Sequence, residues 1–600
     1  MGDLGAPGQA SRHVSEMPLQ SPRQIAAIAF PNASELFTSW INALRSSDVP
    51  FASYFQKFVN KTFRTTNGRV RDILPFPCFA DVGLHWTKDY ASSTRAAMLA
   101  VVSLSCASLN WMGGQAWTRS TPSSPTSVQR RAANQIREKV EVLFDGLELV
   151  GRSCSPLGAF GKLTGEDSND NFPELQSSLV DVGANCGLIS PGQWLPQDAL
   201  EVVRNPSVMF PHGVLGLPPR VAFKGRNHLE YVKLIVAELR SGKTRLMRDA
   251  TTAANVFAVW KRSGAQRCIW DGSRISSASC APSPPPCLAN PHSLTTLEAS
   301  HDRGLRASCR DGKAWFDQLR LEPELWPYMG KPKVDVTDLL TSGPLQADGL
   351  SKEELLSFFV DEGTGSSSLE PYGEATPVAC CWPMGFSWSS FVAQQVLVGI
   401  CEEAGYPRCR MLQDEGTLVP RDGVILSLAT DDVTAFTHEG DAGASGGEGA
   451  SPLEALDQAW CRHNVAPQES KSFDLRDSAE ILGISFVKGR WLAPRFSTLW
   501  SLLEAGLDLL RMRHARPRAL ERLLGSLHWL SLLNRPSYSA FNVIYAFIRD
   551  EQNLGYQEVW PHVLSEDVHS LSLSSLWVVD LCADWHPEII ATDASHTFGF

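Results

Sequence analysis

Val424-Ile-Leu-Ser-Leu-Ala-Thr-Asp431-Asp432 is an apolar run that ends on two adjacent acids. Short and aliphatic, it predicts a strand that carries carboxylates to its own end. Taken alone, an Asp-Asp pair is most often a surface turn. Its company along the chain changes the reading. A single acid stands far upstream in Asp311-Gly-Lys-Ala-Trp-Phe316, and Ile481-Leu-Gly-Ile484 lies downstream. Between the acids comes Pro383-Met-Gly-Phe-Ser-Trp-Ser389, a turn leading into a helix-like stretch from Phe391 to Ile400. Carboxylates this far apart in sequence can meet only in space. If they meet at strand ends they can hold two divalent ions roughly 3.5–4 Å apart, as two-metal phosphoryl transfer requires.

Composition bounds the answer without deciding it. Six hundred residues exceed one hydrophobic core, so several subdomains are expected. Hydrophobic content of 43% and charged content of 20% suit a globular chain. The net charge of −11 does not advertise a polyanion partner, but the local balance does. Residues 220–274 hold twelve Lys and Arg against four acids, and residues 485–549 hold ten against three. Two basic stretches flanking an acidic centre suit a protein that grips phosphates on both sides of a metal site. The plainer reading is two solvated helical faces. The fourteen Cys are scattered, with no CxxC pair and no zinc spacing, so reduced thiols and an intracellular location, cytoplasmic or nuclear, are expected. The most apolar run, Ala96 to Met112, is broken by Ser103, Ser105, Ser108 and Asn110. It is short for a membrane span and reads as a buried helix, so no membrane partner is expected.

The order and content of the four strings resemble the palm of a reverse transcriptase, of the long-terminal-repeat or DIRS-like retrotransposon kind. Ala591-Thr-Asp-Ala-Ser-His-Thr-Phe-Gly599 resembles the opening strand of a ribonuclease H domain, with Asp593 as its first acid. The resemblance implies an α+β right-hand polymerase fold with a helical N-terminal region. Residues 1–24 would be disordered and 25–204 an accessory, mostly helical region. Fingers would span 205–300 and the palm 301–485, with insertions near 331–375 and 438–452. The thumb would span 486–560, and 561–600 would hold a connection and a truncated ribonuclease H start.

The resemblance also implies roles. Asp311, Asp431 and Asp432 would be catalytic and would ligate two Mg²⁺ ions, with Mn²⁺ as a substitute. Phe316, five residues after Asp311, would gate against a ribose 2′-hydroxyl. Gly385 would let backbone approach the nascent base pair, beside Met384, where many retroviral enzymes carry Gln. Arg267, on a hairpin expected at 256–271, would bind the triphosphate, with Lys261 second. Lys471 would be a general acid toward pyrophosphate. Gln394 and Gln395 are expected on a helix surface. Ala429 stands two positions before the acid pair, where Tyr or Phe is usual. The partners would be an RNA or DNA template with primer and deoxynucleoside triphosphates. The activity implied is RNA-directed DNA synthesis. The alternatives are an inactive retroelement remnant that only binds nucleic acid, and an unrelated α/β interaction protein.

Overall fold

A computed structural model describes residues 30, 32–47, 86, 88, 90–112, 127–151, 172–183, 186–261, 263–360, 373–414, 422–440, 451–551 and 555–584. The expectations for residues 1–24, for most of the loop at 438–452 and for Asp593 fall outside them.

Three long helices come first: α1 (Ala33–Ser46), α2 (Ser92–Met112) and α3 (Ser127–Gly151). Asn32 starts α1 by accepting the Glu35 N–H at 2.8 Å, as an N-cap should. Next come α4 (His228–Ser241), β1 (Thr244–Met247) and the hairpin β2 (Val256–Trp260) and β3 (Gln266–Trp270). The apolar periodicity predicts one helix from Asn227 to about Met247, but α4 stops at Ser241. Gly242 takes φ +81, and its N–H caps the Leu239 carbonyl at 3.1 Å. A left-handed glycine ends a helix in this way. The residues beyond it pair as β1 with β6.

The central elements are β4 (Leu305–Asp311), the single turn α5 (Trp315–Gln318), β5 (Val334–Asp335), β6 (Glu374–Ala379), α6 (Ser389–Glu403), β7 (Ile425–Ala429), β8 (Asp432–His438), α7 (Glu454–Arg462) and β9 (Phe473–Arg476). Strands β10 (Ala479–Ile481), β11 (Ile484–Val487) and β12 (Trp491–Pro494) follow. Then come the helices α8 (Phe496–Met512), α9 (Pro517–Ser531), α10 (Val543–Glu551) and α11 (Pro561–Ser572), and the short strand β13 (Val579–Asp580). Mixed helix and strand therefore hold through the described residues. Segment 331–375 looks like a polar insertion in sequence. In its described part β5 pairs with β6, and Val336, Leu339, Leu350 and Leu355 are buried.

The sheet that matters has the order β7-β8-β4-β9, with its assigned pairings antiparallel. It is covered on both faces. Leu305, Ala307 and Phe436 belong to one core; Leu426, Leu428, Val433 and Ala435 belong to the other. The period-two alternation of strands sends neighbours to opposite sides. The first core is built jointly by α1, α2 and α3 with α8 to α11. The second holds α4, α5, α6 and α7.

Helix α2 is long and apolar enough to cross a membrane by length and composition. In this structure it packs into the first core, with Met98, Val102 and Ala107 fully buried.

Candidate active site

Strand β4 runs from Leu305 and ends on Asp311, while β8 begins on Asp432. Their antiparallel register sets Asp311 directly opposite Asp432. Asp431 occupies the two-residue turn between β7 and β8. Its carbonyl accepts the Gly312 N–H at 2.9 Å, which stitches the turn to the end of β4. Asp311 and the Asp431–Asp432 pair, more than a hundred residues apart in sequence, thus share one sheet end.

The electrostatics are those of crowded carboxylates. Burial pushes the Asp431 carboxyl up to about 6, and the nearby Asp311 charge adds to this. Burial also raises Asp432, reinforced by a hydrogen bond to Asp311 and by the Asp431 charge. Like charges forced together in a low-dielectric site favour the protonated form. Lys471 Nζ lies on the Asp311 carboxylate. Burial works against this ammonium, but Asp311, Asp432 and Asp431 together hold its pKa above the ordinary lysine value. The turn carrying Lys471 is docked by backbone, since the Gln468 N–H donates to the Asp311 carbonyl at 2.7 Å.

A carboxylate-only donor set suits hard cations such as Mg²⁺ or Mn²⁺. A divalent ion would offset the burial and the neighbouring charges that together raise Asp431 and Asp432. Among the described residues, however, no three His, Cys, Asp or Glu already converge as a metal cage. Loading would require Lys471 to leave Asp311.

The remaining predicted residues fall as follows. Arg267 projects exposed from β3. Its Nη1 is 3.7 Å from the Met384 Sδ, and its charge acts on Asp431. Lys261 sits in the hairpin turn, where its N–H donates to the Ala265 carbonyl at 2.7 Å and Gly264 takes φ +83. Phe316 lies half-buried in α5, against the second core. Gly385 takes φ +113, and a Cβ there would meet the Trp270 carbonyl oxygen at 2.3 Å. The close approach that demands glycine is thus to the end of β3, whatever else passes above it.

Gln394 and Gln395 are not on a surface. They are 0% and 5% exposed, because α6 is wrapped on all sides. Gln394 carries an organising role that periodicity alone misses. Its Oε1 accepts the Thr430 N–H at 2.7 Å, and its Nε2 donates to the Cys287 carbonyl at 3.1 Å. Thr430 takes φ +60, a left-handed conformation that a β-branched residue resists. Gln394 therefore holds the strained turn on which Asp431 depends. The available signal was a polar pair inside the otherwise apolar run Phe391–Ile400. Arg310 has no such signal in the sequence. It points to the opposite face from Asp311 and pairs with Asp457 at 2.8 Å and Asp474 at 3.2 Å, tying β4 to α7 and β9.

At Leu482 and Gly483 the β10–β11 hairpin turns with φ +51 and +74. The Trp529 indole N–H on α9 donates to the Leu482 carbonyl at 2.9 Å. This contact links the hairpin to the Arg-rich helices.

No family model matches the chain, and no curated protein matches it. Among solved structures it is similar to a foamy viral protease-reverse transcriptase in complex with double-stranded DNA, at TM-score 0.37 and 15% identity over 59% of this chain and 50% of that one. A second similar structure is the same kind of protein with an RNA/DNA hybrid, at TM-score 0.37 and 14% identity over 76% and 48%. A third, also with double-stranded DNA, gives TM-score 0.36 and 14% identity over 73% and 68%. The chain spans about half the length of the first of these. Likeness at this distance says nothing about the chemistry of the site.

Proposed function

We propose that this chain is an RNA-directed DNA polymerase of a retroelement, with a right-hand fold, that transfers a nucleotide from a deoxynucleoside triphosphate to a primer 3′-hydroxyl. The observation that carries the reading is the antiparallel register of Asp311 with Asp432, which leaves Asp431 in the adjoining turn. Asp311, Asp431 and Asp432 would hold the metal ions. When bound, two Mg²⁺ (or Mn²⁺) ions supply charge that activates the 3′-hydroxyl and stabilises the leaving pyrophosphate. The chain's own residues do the rest. The Arg267 guanidinium is suited to bind triphosphate oxygens, with Lys261 beside the same hairpin. Phe316 excludes the 2′-hydroxyl. Lys471, released from Asp311, donates a proton to pyrophosphate. The exposed Arg511 and Arg518 lie where α8 and α9 meet and would track the duplex backbone by charge.

A second reading, a remnant that binds nucleic acid without chemistry, is favoured by the Lys471 contact, which occupies the Asp311 carboxylate. Primer extension on an RNA template with Mg²⁺, comparing the parent with Asp431→Asn, separates the two. Extension by the parent and its loss in the variant is expected. Salt-sensitive binding of primer-template by both, with extension by neither, supports the remnant.

A further inference from the structure

Behind the sheet end lies a buried charge cluster that the polymerase chemistry does not use. Lys243 follows the glycine that ends α4. Its Nζ lies 2.9 Å from the Asp317 carboxylate and 3.8 Å from Glu238. Glu238 also takes the Lys331 ammonium and accepts the Thr244 hydroxyl at 2.9 Å. Two carboxylates and two ammoniums thus balance inside the protein. The side chains of Glu238 and Lys331 are 2% and 7% exposed, and those of Lys243 and Asp317 are each 19% exposed. Burial opposes the Glu238 and Lys243 charges. Even so, the Asp317 and Glu238 charges hold Lys243 well above the ordinary lysine value. Stranding one member of such a set is costly, so its geometry is firmly specified.

Asp317 is the residue after Phe316, and both sit in the single turn α5. That turn has three side-chain anchors. The Trp315 indole N–H donates to the Ala393 carbonyl on α6 at 3.4 Å. Gln318 Nε2 donates to the Lys313 carbonyl at 2.7 Å, and its Oε1 accepts the Ala466 N–H at 2.8 Å. Asp317 is held by Lys243. Phe316 has no polar group of its own, so its ring direction is set by its packing against the second core and by where these neighbours hold the turn. Of the anchors, only the Lys243 contact reaches across from α4 and β1, on the side of the β2–β3 hairpin.

We propose that Lys243 is a positioning residue for sugar selectivity. By fixing Asp317 it orients the Phe316 ring, and so sets how strongly a ribonucleotide is rejected. The proposal rests on the polymerase reading above.

The test measures kcat/KM for deoxy- and ribonucleoside triphosphates with the full chain. The variants are Phe316→Ala, the charge-neutral double variant Lys243→Met/Asp317→Asn, and Lys243→Arg. Misplacement of a positioning group by about 1 Å typically costs on the order of a hundredfold. The double variant should therefore lose about tenfold or more of the deoxy-over-ribo ratio. Its deoxynucleotide kcat/KM should stay within about threefold of the parent, and its melting should resemble the parent's. If the double variant does not fold, Lys243→Arg carries the test. It keeps the charge but not the reach, and it should lower the ratio by about threefold. An unchanged ratio in a folded variant overturns the proposal. So does an unchanged ratio in Phe316→Ala, since there would then be no gate to position. A parent that extends no primer removes the polymerase reading itself, an outcome distinct from an active parent with unaltered selectivity.

Discussion

Gln394→Leu isolates the support of the acid turn, because leucine matches the volume of glutamine and removes its polar atoms. The side chain is fully buried. Its loss orphans the Thr430 N–H and the Cys287 carbonyl, whose bonds to it are 2.7 and 3.1 Å long. Gln394 Nε2 also reaches the Leu428 carbonyl at 3.5 Å, but that carbonyl keeps the Ala289 N–H at 2.8 Å. Each orphaned buried backbone group costs about 1–2 kcal/mol, so the variant should lose about 2–4 kcal/mol. The turn also stores strain, since left-handed backbone at a non-glycine residue costs roughly 1–2 kcal/mol. Without Gln394 the Gly312 N–H bond to the Asp431 carbonyl is left to offset that strain, and Asp431 should shift relative to Asp311. Urea unfolding gives the stability change, and single-turnover primer extension gives the catalytic one. Extension should fall on the order of a hundredfold. Thr430→Gly in the same background should restore about 1 kcal/mol by releasing the strain, without restoring extension. A stability loss under about 0.5 kcal/mol, or parental extension by Gln394→Leu, refutes the account.

Two further outcomes follow from the site. The folded Asp431 carboxyl titrates at about 6 against an ordinary 3.8, so the folded state holds this proton more tightly than the unfolded chain. The stability it contributes is present at low pH and fades as pH rises through about 6. A divalent ion needs the deprotonated form. Mg²⁺ should therefore raise the melting temperature more at about pH 8 than at about pH 5, and Asp431→Asn should shrink the difference; equal shifts at both pH values would count against metal binding here. Gly385→Ala should cost about 3 kcal/mol or more, because a Cβ 2.3 Å from the Trp270 oxygen and φ +113 both oppose it. Circular-dichroism melting checks this, and an unchanged midpoint would mean that the close approach relaxes freely.

The sequence by itself determined what local patterns can carry. Aliphatic runs ending on acids gave β7 and the start of β8. Residues 256–271 gave the β2–β3 hairpin. The order of Asp311, Gly385 and Asp431–Asp432 was enough to suggest one site. What the tertiary structure alone decided is everything that depends on two distant segments touching. The pairing of Asp311 with Asp432 is a matter of register, and register is fixed by which faces of β4 and β8 two separate cores bury. The burial of Gln394 follows from α6 being covered on every side, which no helical periodicity encodes. The Lys243–Asp317 pair joins residues 74 apart that carry no motif. The helices before residue 152 read in sequence as a mostly helical accessory region; the packed chain shows that they complete one core with α8 to α11. An amphipathic face shows that a partner exists; only the packed chain shows which one, because apolar burial is non-directional and takes whatever complementary surface the topology brings near.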